Sequence, residues 1–360
     1  MRRRVGWLGA AGGVAAAALV GLYQLPAGAQ GGGSYVQENL VSDQAGVAQL
    51  QDNQLVNPWG MSHGPNTPLW VSDNGADVTT LYTGAVGTPE TPVVKNPAVH
   101  PDVAGGAPTG QVFNDVQMSN PTDFNLPGTT TPAAFMFASE NGVLSAWAGG
   151  PATTQVAATP DAVYKGLALV HSPSGPLLLA ANFRNNSVDV FDGQFAPVTG
   201  AGFTDPQLPS DYAPFNVAEI NGQVFVTYAQ QDADREDDVA GPAHGFIDVY
   251  STSGAFVKRF ATHGVLNSPW GMTIAPSTFG KFGGDLLVGN FGDGRIHAFD
   301  PQTGEVLGIL RGTSGRPLAI DGLWGLIVGD GVAGGPDAVW FSAGPDDESH
   351  GLLGILRPAS

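Results

Sequence analysis

The chain has no cysteine among its 360 residues. Disulfide bonds, cysteine nucleophiles and zinc sites built on thiolates are therefore excluded. Since cross-links cannot stabilise the fold, its stability must come from a buried core, and a chain of this length can form one.

Basic residues are scarce, with 14 Lys and Arg against 32 Asp and Glu and a formal net charge of −18. Phosphate-rich partners are repelled by such a charge, so we expect no nucleic-acid binding. The same acidity would attract divalent cations, although it is also typical of soluble exported proteins.

Motifs for common reactions are also missing. The sequence has no H-E-x-x-H and no G-x-S-x-G, and the glycines of residues 289–294 are in the wrong order for a dinucleotide loop. The histidines are dispersed, which argues against zinc: His63, His100, His171, His244, His263, His297 and His350. We therefore predict no catalytic residues and no certain cofactor. Calcium binding is the one alternative that stays open.

The N-terminus has the three parts of an export signal: Arg2 to Arg4, an apolar run over residues 5–25, and Ala27-Gly28-Ala29. We predict a signal peptide over residues 1–29, cleaved before Gln30, and a secreted or extracytoplasmic location. The apolar run is long enough that a retained membrane anchor stays open, as does the choice between general and twin-arginine export.

Residues 30–360 are predicted to form one domain of many short strands separated by glycine and proline, of which the full chain has 52 and 28. Residues 266–304 form one complete antiparallel unit, which the rest of the chain repeats. We call the start of each repeat its opening segment, and the six are residues 58–61 (PWGM), 121–124 (PTDF), 164–167 (YKGL), 214–217 (PFNV), 269–272 (PWGM) and 323–326 (LWGL). Their spacing suits a four-stranded blade and predicts an all-β, six-bladed β-propeller. We expect a monomer.

The last repeat has only three strands before the sequence ends, and the third of them ends near Leu356. Residues 34–41 (SYVQENLV) have strand character and precede the first opening segment. We predict that they pair as the outer strand of the final blade, which closes the ring.

Several distinctive stretches carry a resemblance: residues 58–61, 228–250, 269–304, 320–326 and 342–354. Together they resemble an uncharacterised family of exported bacterial β-propellers, mostly hypothetical proteins with NHL-like repeats, some of which carry a PEP-CTERM anchor. The resemblance implies a fold and export but little chemistry. The chain ends LRPAS, without such a sorting tail, so the resemblance implies release rather than anchoring.

Hairpin turns between second and third strands should gather on the face that also carries the opening segments. We call this the loop face and expect any ligand there. Its candidate residues are Asp73, Asn74, Asn141, Arg184, Asp293, Asp347 and His350. The alternative is that Asn-Gly and Asp-Gly only satisfy tight-turn geometry.

Two sets of side chains are candidates for binding calcium. The first is an acidic loop with Asp232, Asp234, Glu236, Asp237 and Asp238, which lacks the spacing of an EF-hand and is otherwise explained as a solvated loop. The second follows from fold-level analogy with lactonase-type propellers and comprises Glu140, Asn182, Asn290 and Asp346.

Two functions remain compatible with the sequence. One is an exported binding module that takes a protein, glycan or small-molecule ligand on its loop face. The alternative is a calcium-dependent hydrolase of the lactonase or gluconolactonase type. Oxygens from three or more blades within about 2.3 to 2.6 Å of one point would favour the hydrolase.

Overall fold

The computed structural model describes residues 33–359, so the predicted export signal lies outside the described residues. These residues form 24 strands in six small sheets, which confirms the predicted six-bladed β-propeller. In the described part of the chain, no helix is long and apolar enough to cross a membrane.

The strands follow one another around the ring. The N-terminal pair is β1 (Tyr35–Ser42) and β2 (Leu50–Gln51). Blade 1 comprises β3 (Pro58–Ser62), β4 (Leu69–Asp73), β5 (Val78–Thr83) and β6 (Val94–Lys95). Blade 2 comprises β7 (Pro108–Phe113), β8 (Phe135–Ser139), β9 (Val143–Trp147) and β10 (Thr154–Ala158). Blade 3 comprises β11 (Tyr164–Ser172), β12 (Gly175–Asn182) and β13 (Ser187–Phe191).

The second half of the ring has the same order. Blade 4 comprises β14 (Tyr212–Ile220), β15 (Gln223–Gln230), β16 (Phe246–Ser251) and β17 (Phe256–Thr262). Blade 5 comprises β18 (Pro269–Ile274), β19 (Leu286–Asn290), β20 (Ile296–Phe299) and β21 (Val306–Ile309). Blade 6 comprises β22 (Leu323–Val328), β23 (Val339–Ala343) and β24 (Leu352–Pro358), joined by β1 and β2. Short helical turns lie at Asn74–Ala76, Asp115–Met118, Gly280–Phe282 and α1 (Pro345–Glu348).

The N-terminal strand closes the last blade as predicted. β1 pairs antiparallel with β24, from Tyr35 opposite Pro358 to Ser42 opposite Leu352. β2 then adds a short parallel strand outside β1. The two ends of the described chain are therefore held in one sheet, so the ring has no open joint.

One backbone hydrogen bond recurs in all six blades. It runs from the turn after the second strand to the residue just before the first strand: Asn74 N to Asn57 O, Glu140 N to Ala107 O, Phe183 N to Val163 O, Gln231 N to Asp211 O, Phe291 N to Ser268 O and Gly344 N to Gly322 O. These bonds place the turns beside the opening segments, as the sequence predicts for the loop face.

The inner strands approach one another so closely that glycine is the third residue of β3, β7, β11, β18 and β22, the inner strands of five blades. A Cβ on Gly110 would lie 2.2 Å from the backbone nitrogen of Leu167, which no side chain could accept. Blade 4 differs because Asn216 takes this position, and its side chain donates a 2.8 Å hydrogen bond to the carbonyl of Trp270 in blade 5. Neighbouring blades pack through apolar side chains, such as Val170 of blade 3 and Val226 of blade 4, which belong to one buried cluster.

The opening segment predicted at residues 121–124 is wrong. These residues lie in the loop between β7 and β8, where Phe124 is fully buried against Phe195 with ring centroids 5.3 Å apart. The true inner strand of blade 2 is β7, whose Thr109 and Gln111 replace the aromatic and apolar residues of the other blades. Because its pattern is polar, periodicity alone did not identify it.

The closing strand gives a direct test of the fold. Tyr35 is 1% exposed, stacks on Phe279 with ring centroids 4.8 Å apart, and donates a 3.1 Å hydrogen bond to the Phe279 carbonyl. We expect Tyr35→Ala to lower the free energy of unfolding by about 3 to 5 kcal/mol, measured by denaturant titration. Val36→Ala, on the exposed side of the same strand, should change it by less than about 0.5 kcal/mol. Equal effects of the two substitutions would contradict the packing of β1.

Candidate functional site

Aromatic side chains close the central channel below the loop face. They come from the second position of the opening segments, where Trp59, Trp270 and Trp324 are at most 4% exposed and form one cluster with Phe215. Trp59 and Trp324 stack with ring centroids 3.4 Å apart, and Trp270 meets both rings edge-on. The repeated tryptophans therefore pack across blades rather than within them.

The stack continues to the surface of the loop face through Phe291, from the turn after β19. Its ring lies 3.9 Å from that of Trp324 at an interplanar angle of 22°. Of the three stacked rings, only that of Phe291 belongs to a partly exposed residue. Phe291 thus offers an aromatic surface at the channel mouth.

Lys165 stands where three other blades have tryptophan. The residue is 1% exposed, and its Nζ lies 2.5 Å from Glu140 Oε1, 3.3 Å from Asp237 Oδ1 and 5.1 Å from the centre of the Trp59 ring. Burial acts to lower the pKa of Lys165, but the carboxylates of Glu140 and Asp237 outweigh it and raise the pKa above its usual value. The side chain is therefore a buried ammonium.

A continuous series of polar contacts runs around the mouth through five blades. Asn57 Nδ2 donates to Glu348 Oε2 (2.8 Å) and to Asn74 Oδ1 (3.3 Å), and Asn74 Nδ2 donates to Glu140 Oε2 (3.1 Å). Lys165 then joins Glu140 to Asp237. We call this set the mouth arc, and its members in order are Glu348, Asn57, Asn74, Glu140, Lys165 and Asp237.

The arc is connected to the aromatic stack beneath it. Trp324 Nε1 donates a 3.1 Å hydrogen bond to Asn57 Oδ1, and Trp270 Nε1 donates a 3.2 Å bond to the carbonyl of Lys165. Trp59 Nε1 is buried and has no hydrogen-bond partner in the described part of the chain. The polar groups of the arc are thus fixed in place by the core.

Glu348 is the most perturbed acid of the arc. It follows Asp346 and Asp347 in α1, a single turn in which all three residues have positive φ. Burial raises the pKa of Glu348 to about 7, although the hydrogen bond from Asn57 and the charge of Lys165 oppose this. Glu348 therefore changes its charge near neutral pH.

The acidic loop folds onto itself and supplies carboxylates to the site. Asp232 Oδ1 accepts a 2.9 Å hydrogen bond from the backbone N–H of Glu236. In this conformation Glu236 pairs with Arg184, and Asp237 pairs with Lys165. Two protein cations therefore lie against this loop. Asp234 is exposed, whereas Oδ2 of Asp238 is buried without a hydrogen-bond partner, and burial raises the pKa of Asp238 to about 6.

The other proposed calcium ligands have separate partners. Asn182 donates to Asp189 Oδ2 at 2.9 Å, and Asn290 donates to the carbonyl of Val265 at 2.8 Å, so both buried amides hold their own loops. Asp346 is exposed, and Glu140 belongs to the mouth arc. Among residues 33–359, no group of three or more His, Cys, Asp and Glu side chains is placed to hold a metal ion.

The predicted loop-face residues divide between the site and the hairpin turns. Asn74 and Arg184 lie at the mouth. Asp347 is exposed in α1. Asp73 is fully buried and accepts a 2.7 Å hydrogen bond from Thr80. The remaining three have partners outside the mouth arc: Asn141 bonds to the carbonyl of Gly105 (2.7 Å), Asp293 to the backbone N–H of Arg295 (3.2 Å) and His350 to Asp43 (2.8 Å).

Sequence reasoning missed three members of the arc: Asn57, Lys165 and Glu348. Lys165 had a usable signal, because a single lysine in a position otherwise occupied by Trp, Phe and Thr marks an unusual channel residue. Asn57 directly precedes the first opening segment, and Glu348 lies in an acidic turn. Neither differs in sequence from an ordinary turn residue.

Comparison with known proteins adds relatives and confirms the fold. No known protein-family profile matches the chain. Uncharacterized protein R648 of Acanthamoeba polyphaga mimivirus is 30% identical over 341 residues (88% of this chain, 78% of the relative). Uncharacterized protein L690 of the same virus is 32% identical over 336 residues (88% of this chain, 84% of the relative). The bacterial family and its sorting tail stay a prediction.

Solved structures resemble the chain in fold. The soluble aldose sugar dehydrogenase of Escherichia coli has a TM-score of 0.56 at 11% identity, over 91% of this chain and all of that one. A glucose dehydrogenase has a TM-score of 0.52 at 11% identity, over 90% of this chain and 99% of that one. At such identity the likeness extends to the propeller fold alone.

The raised pKa of Glu348 predicts a pH-dependent stability. Its carboxyl binds a proton more tightly in the folded state, so the free energy of unfolding falls as pH rises from about 4.5 to about 7, by up to about 3 kcal/mol. Glu348→Gln should remove this part of the decline, measured as the change in Tm between pH 4.5 and 7.5. Asp347→Asn, at an exposed neighbour, should leave the decline unchanged. An identical pH profile for Glu348→Gln would refute the assignment.

The burial of Lys165 predicts an asymmetry between the two partners of its ion pair. In Glu140→Gln the ammonium stays buried with only Asp237 beside it, and we expect a loss of about 3 kcal/mol in the free energy of unfolding. Lys165→Met should cost less than about 1 kcal/mol, because the side chains of Glu140 and Asp237 are 28% and 66% exposed and can be hydrated. Glu305→Gln, at an exposed site, is the control. The reverse order would contradict a buried ammonium.

Proposed function

Since this chain belongs to the same family as uncharacterized proteins R648 and L690 of Acanthamoeba polyphaga mimivirus, whose names state no activity, we propose its function from the channel mouth. The protein is an exported binding module that holds a neutral glycan or a related polyhydroxylated ligand on its loop face. The mouth arc above the aromatic stack is the observation that carries this proposal. Export rests on the signal pattern of residues 1–29.

The arc matches the chemistry of hydroxyl groups. Each hydroxyl donates one hydrogen bond and accepts others, so it is best bound where acceptors and donors alternate. Carboxylates of Glu348, Glu140 and Asp237 are interspersed here with the donors Asn57, Asn74 and Lys165. Because these groups already hold one another, little side-chain ordering is needed when a ligand binds.

The aromatic stack supplies the apolar half of such a site. Phe291 is partly exposed beside the arc and is held rigidly by Trp324 at 3.9 Å. A sugar ring has an apolar C–H face that packs well on an aromatic surface, while its hydroxyls reach outwards. The stack and the arc therefore suit opposite sides of one ligand.

Charge narrows the ligand class. Glu140, Asp237 and Glu348 of the arc face one buried cation, Lys165, and Glu236 lies nearby against Arg184. Sulfated or phosphorylated glycans would be repelled by this surplus of carboxylates. We therefore propose a neutral ligand rather than an anionic one.

The hydrolase alternative has less support. Its proposed ligands Asn182 and Asn290 are bound within their own loops, and Glu140 is paired with Lys165. A calcium ion at the mouth would also lie close to that ammonium, which opposes cation binding. No observation favours this function over ligand binding.

Glycan binding is tested with the purified chain of residues 30–360. We expect neutral oligosaccharides, screened on an array and measured by calorimetry, to bind better than sulfated ones. Phe291→Ala and Asn74→Ala should each weaken binding about tenfold, because one loses the aromatic surface and the other interrupts the arc. Phe256→Ala and Asn141→Ala are matched controls outside the arc and should bind normally.

The same protein distinguishes the two functions by its response to calcium. A ligand raises the Tm of the state that it binds, so a native calcium site would raise Tm in calcium relative to chelator. The binding function predicts no difference. A rise in Tm, together with unchanged glycan binding by Phe291→Ala, would overturn the proposal in favour of the hydrolase.

A further inference from the structure

Among residues 33–359, blade 3 alone has three strands, since every other blade has at least four. Its outermost strand, β13, pairs with β12 on one side. The other side of β13 borders a groove of about 630 Å³, which all five residues of the strand line. Most of the remaining lining comes from residues 197–202 and Thr204, which follow β13 in the chain. The groove therefore lies where other blades place a fourth strand.

After β13 the chain begins a fourth strand and then leaves the blade. The N–H of Val198 donates a 2.8 Å hydrogen bond to the carbonyl of Val190, as in a hairpin. A few residues later, Phe203 is 2% exposed and packs on Tyr250 of blade 4, with ring centroids 5.7 Å apart. Its N–H donates a 2.8 Å bond to the carbonyl of Gly254. The chain is thus held on blade 4, and the fourth position of blade 3 stays open.

The open edge of β13 carries unpaired backbone groups. Because the carbonyl of Val190 points away from β12 to meet Val198, the N–H and C=O of Val188, two residues earlier, point the same way. In the part of the chain that the structure describes, the N–H of Val190 and both backbone groups of Val188 have no hydrogen-bond partner. Such groups are the attachment points for an added strand.

The shape of the groove favours a single extended chain. Paired strands lie about 4.8 Å apart, so an occupant must enter between β13 and residues 197–204 to reach the free groups. The β13 edge of a second copy carries the same segment beside it and cannot approach to this distance. The formal net charge of −18 also disfavours pairing between two copies. The occupant is therefore a segment of another protein.

Asp189 gives the groove a negative charge. It lines the groove, is partly exposed, and accepts hydrogen bonds of 2.9 Å from three neutral groups, those of Tyr164, Asn182 and Ser187. These contacts leave its charge uncompensated. In an added antiparallel strand, the residue opposite Asp189 would form a non-hydrogen-bonded pair, in which side chains approach closely. A basic residue suits this place.

We propose that the edge of blade 3 binds an extended, basic segment of another protein, which adds as the fourth, antiparallel strand of the blade. One residue of this segment bonds to both backbone groups of Val188, and a basic residue next to it pairs with Asp189. The groove lies at the outermost strand of its blade rather than at the channel mouth. The proposal is therefore independent of the function proposed for the mouth.

Three acetylated and amidated pentapeptides test the proposal. Thr-Lys-Val-Lys-Thr is the same in both directions and places its valine opposite Val188 and a lysine opposite Asp189. We expect it to bind residues 30–360 at least tenfold more tightly than Thr-Glu-Val-Glu-Thr, measured by calorimetry. N-methylation of its valine removes the donor to the carbonyl of Val188 and should abolish measurable binding. No binding of the lysine peptide, or equal binding of any two of the three, would overturn the proposal.

Amide hydrogen exchange locates the bound peptide. The N–H of Val188 should exchange faster than that of Asp189, which faces β12. The lysine peptide should slow exchange at Val188 at least tenfold and leave Asp189 unchanged. Unchanged exchange at Val188 in saturated protein would place the peptide elsewhere and refute this site.

A substitution tests the charge of the groove. Asp189→Asn should weaken binding of the lysine peptide at least fivefold. Asp347→Asn, at an exposed residue of α1 outside the groove, is the matched control and should have no effect. Equal affinities of the two variants would contradict the pairing with Asp189.

Exchange at Val188 without peptide identifies other occupants. Protection that rises with protein concentration, together with a dimer in sedimentation, would assign the edge to a second copy. Protection in residues 1–360 that is lost in residues 30–360 would assign it to the N-terminal segment of this chain. Either result would overturn the proposal.

Discussion

Closure of the ring by the pairing of β1 with β24 is the constraint on which the rest of the structure depends. The chain has no cysteine to join its ends, so an antiparallel pair from Tyr35 to Ser42 does this instead. Only a closed ring brings the inner strands of blades 1 and 6 side by side. The stacked Trp59 and Trp324 span this junction, and the mouth arc crosses it between Glu348 and Asn57.

The closed ring also explains why the channel has two different ends. Each opening segment presents its second residue towards the loop face and its fourth residue towards the interior. Large aromatic residues and Lys165 in the second position fill the upper channel and hold polar groups above it. Smaller apolar residues in the fourth position leave open space below, which Gln111 alone makes polar at that level. One repeated segment thus creates two distinct chemical environments.

Much of the fold could be predicted because its local rules repeat. Glycine after an aromatic residue marks the inner strands of blades 1, 5 and 6, and the acidic and Asn-Gly turns mark the loop face. Blade 2 was not identified because its inner strand has the polar residues Thr109 and Gln111, whose side chains donate hydrogen bonds to backbone carbonyls of the neighbouring blades. The propeller could therefore be predicted from the repeats, whereas the strand that departs from the repeated pattern could not.

The site was only partly predictable, because its chemistry comes from contacts between distant blades. Asn74, Glu140, Arg184 and Asp237 were expected on the loop face, yet their partners were not. Asp73 and Asn182 follow the same turn pattern but are buried and bound internally. A sequence shows which turns carry carboxylates and amides, whereas only the assembled ring shows which of them face one another.

The stacked indoles have an optical consequence. Trp59 and Trp324 lie 3.4 Å apart at an interplanar angle of 20°, so their electronic transitions are strongly coupled. One indole belongs to blade 1 and the other to blade 6, the two blades that meet where the ring closes. Their coupled absorption and circular dichroism in the near ultraviolet therefore exist only while this junction is intact. The protein carries an intrinsic spectroscopic reporter of its own closure, which needs no added dye.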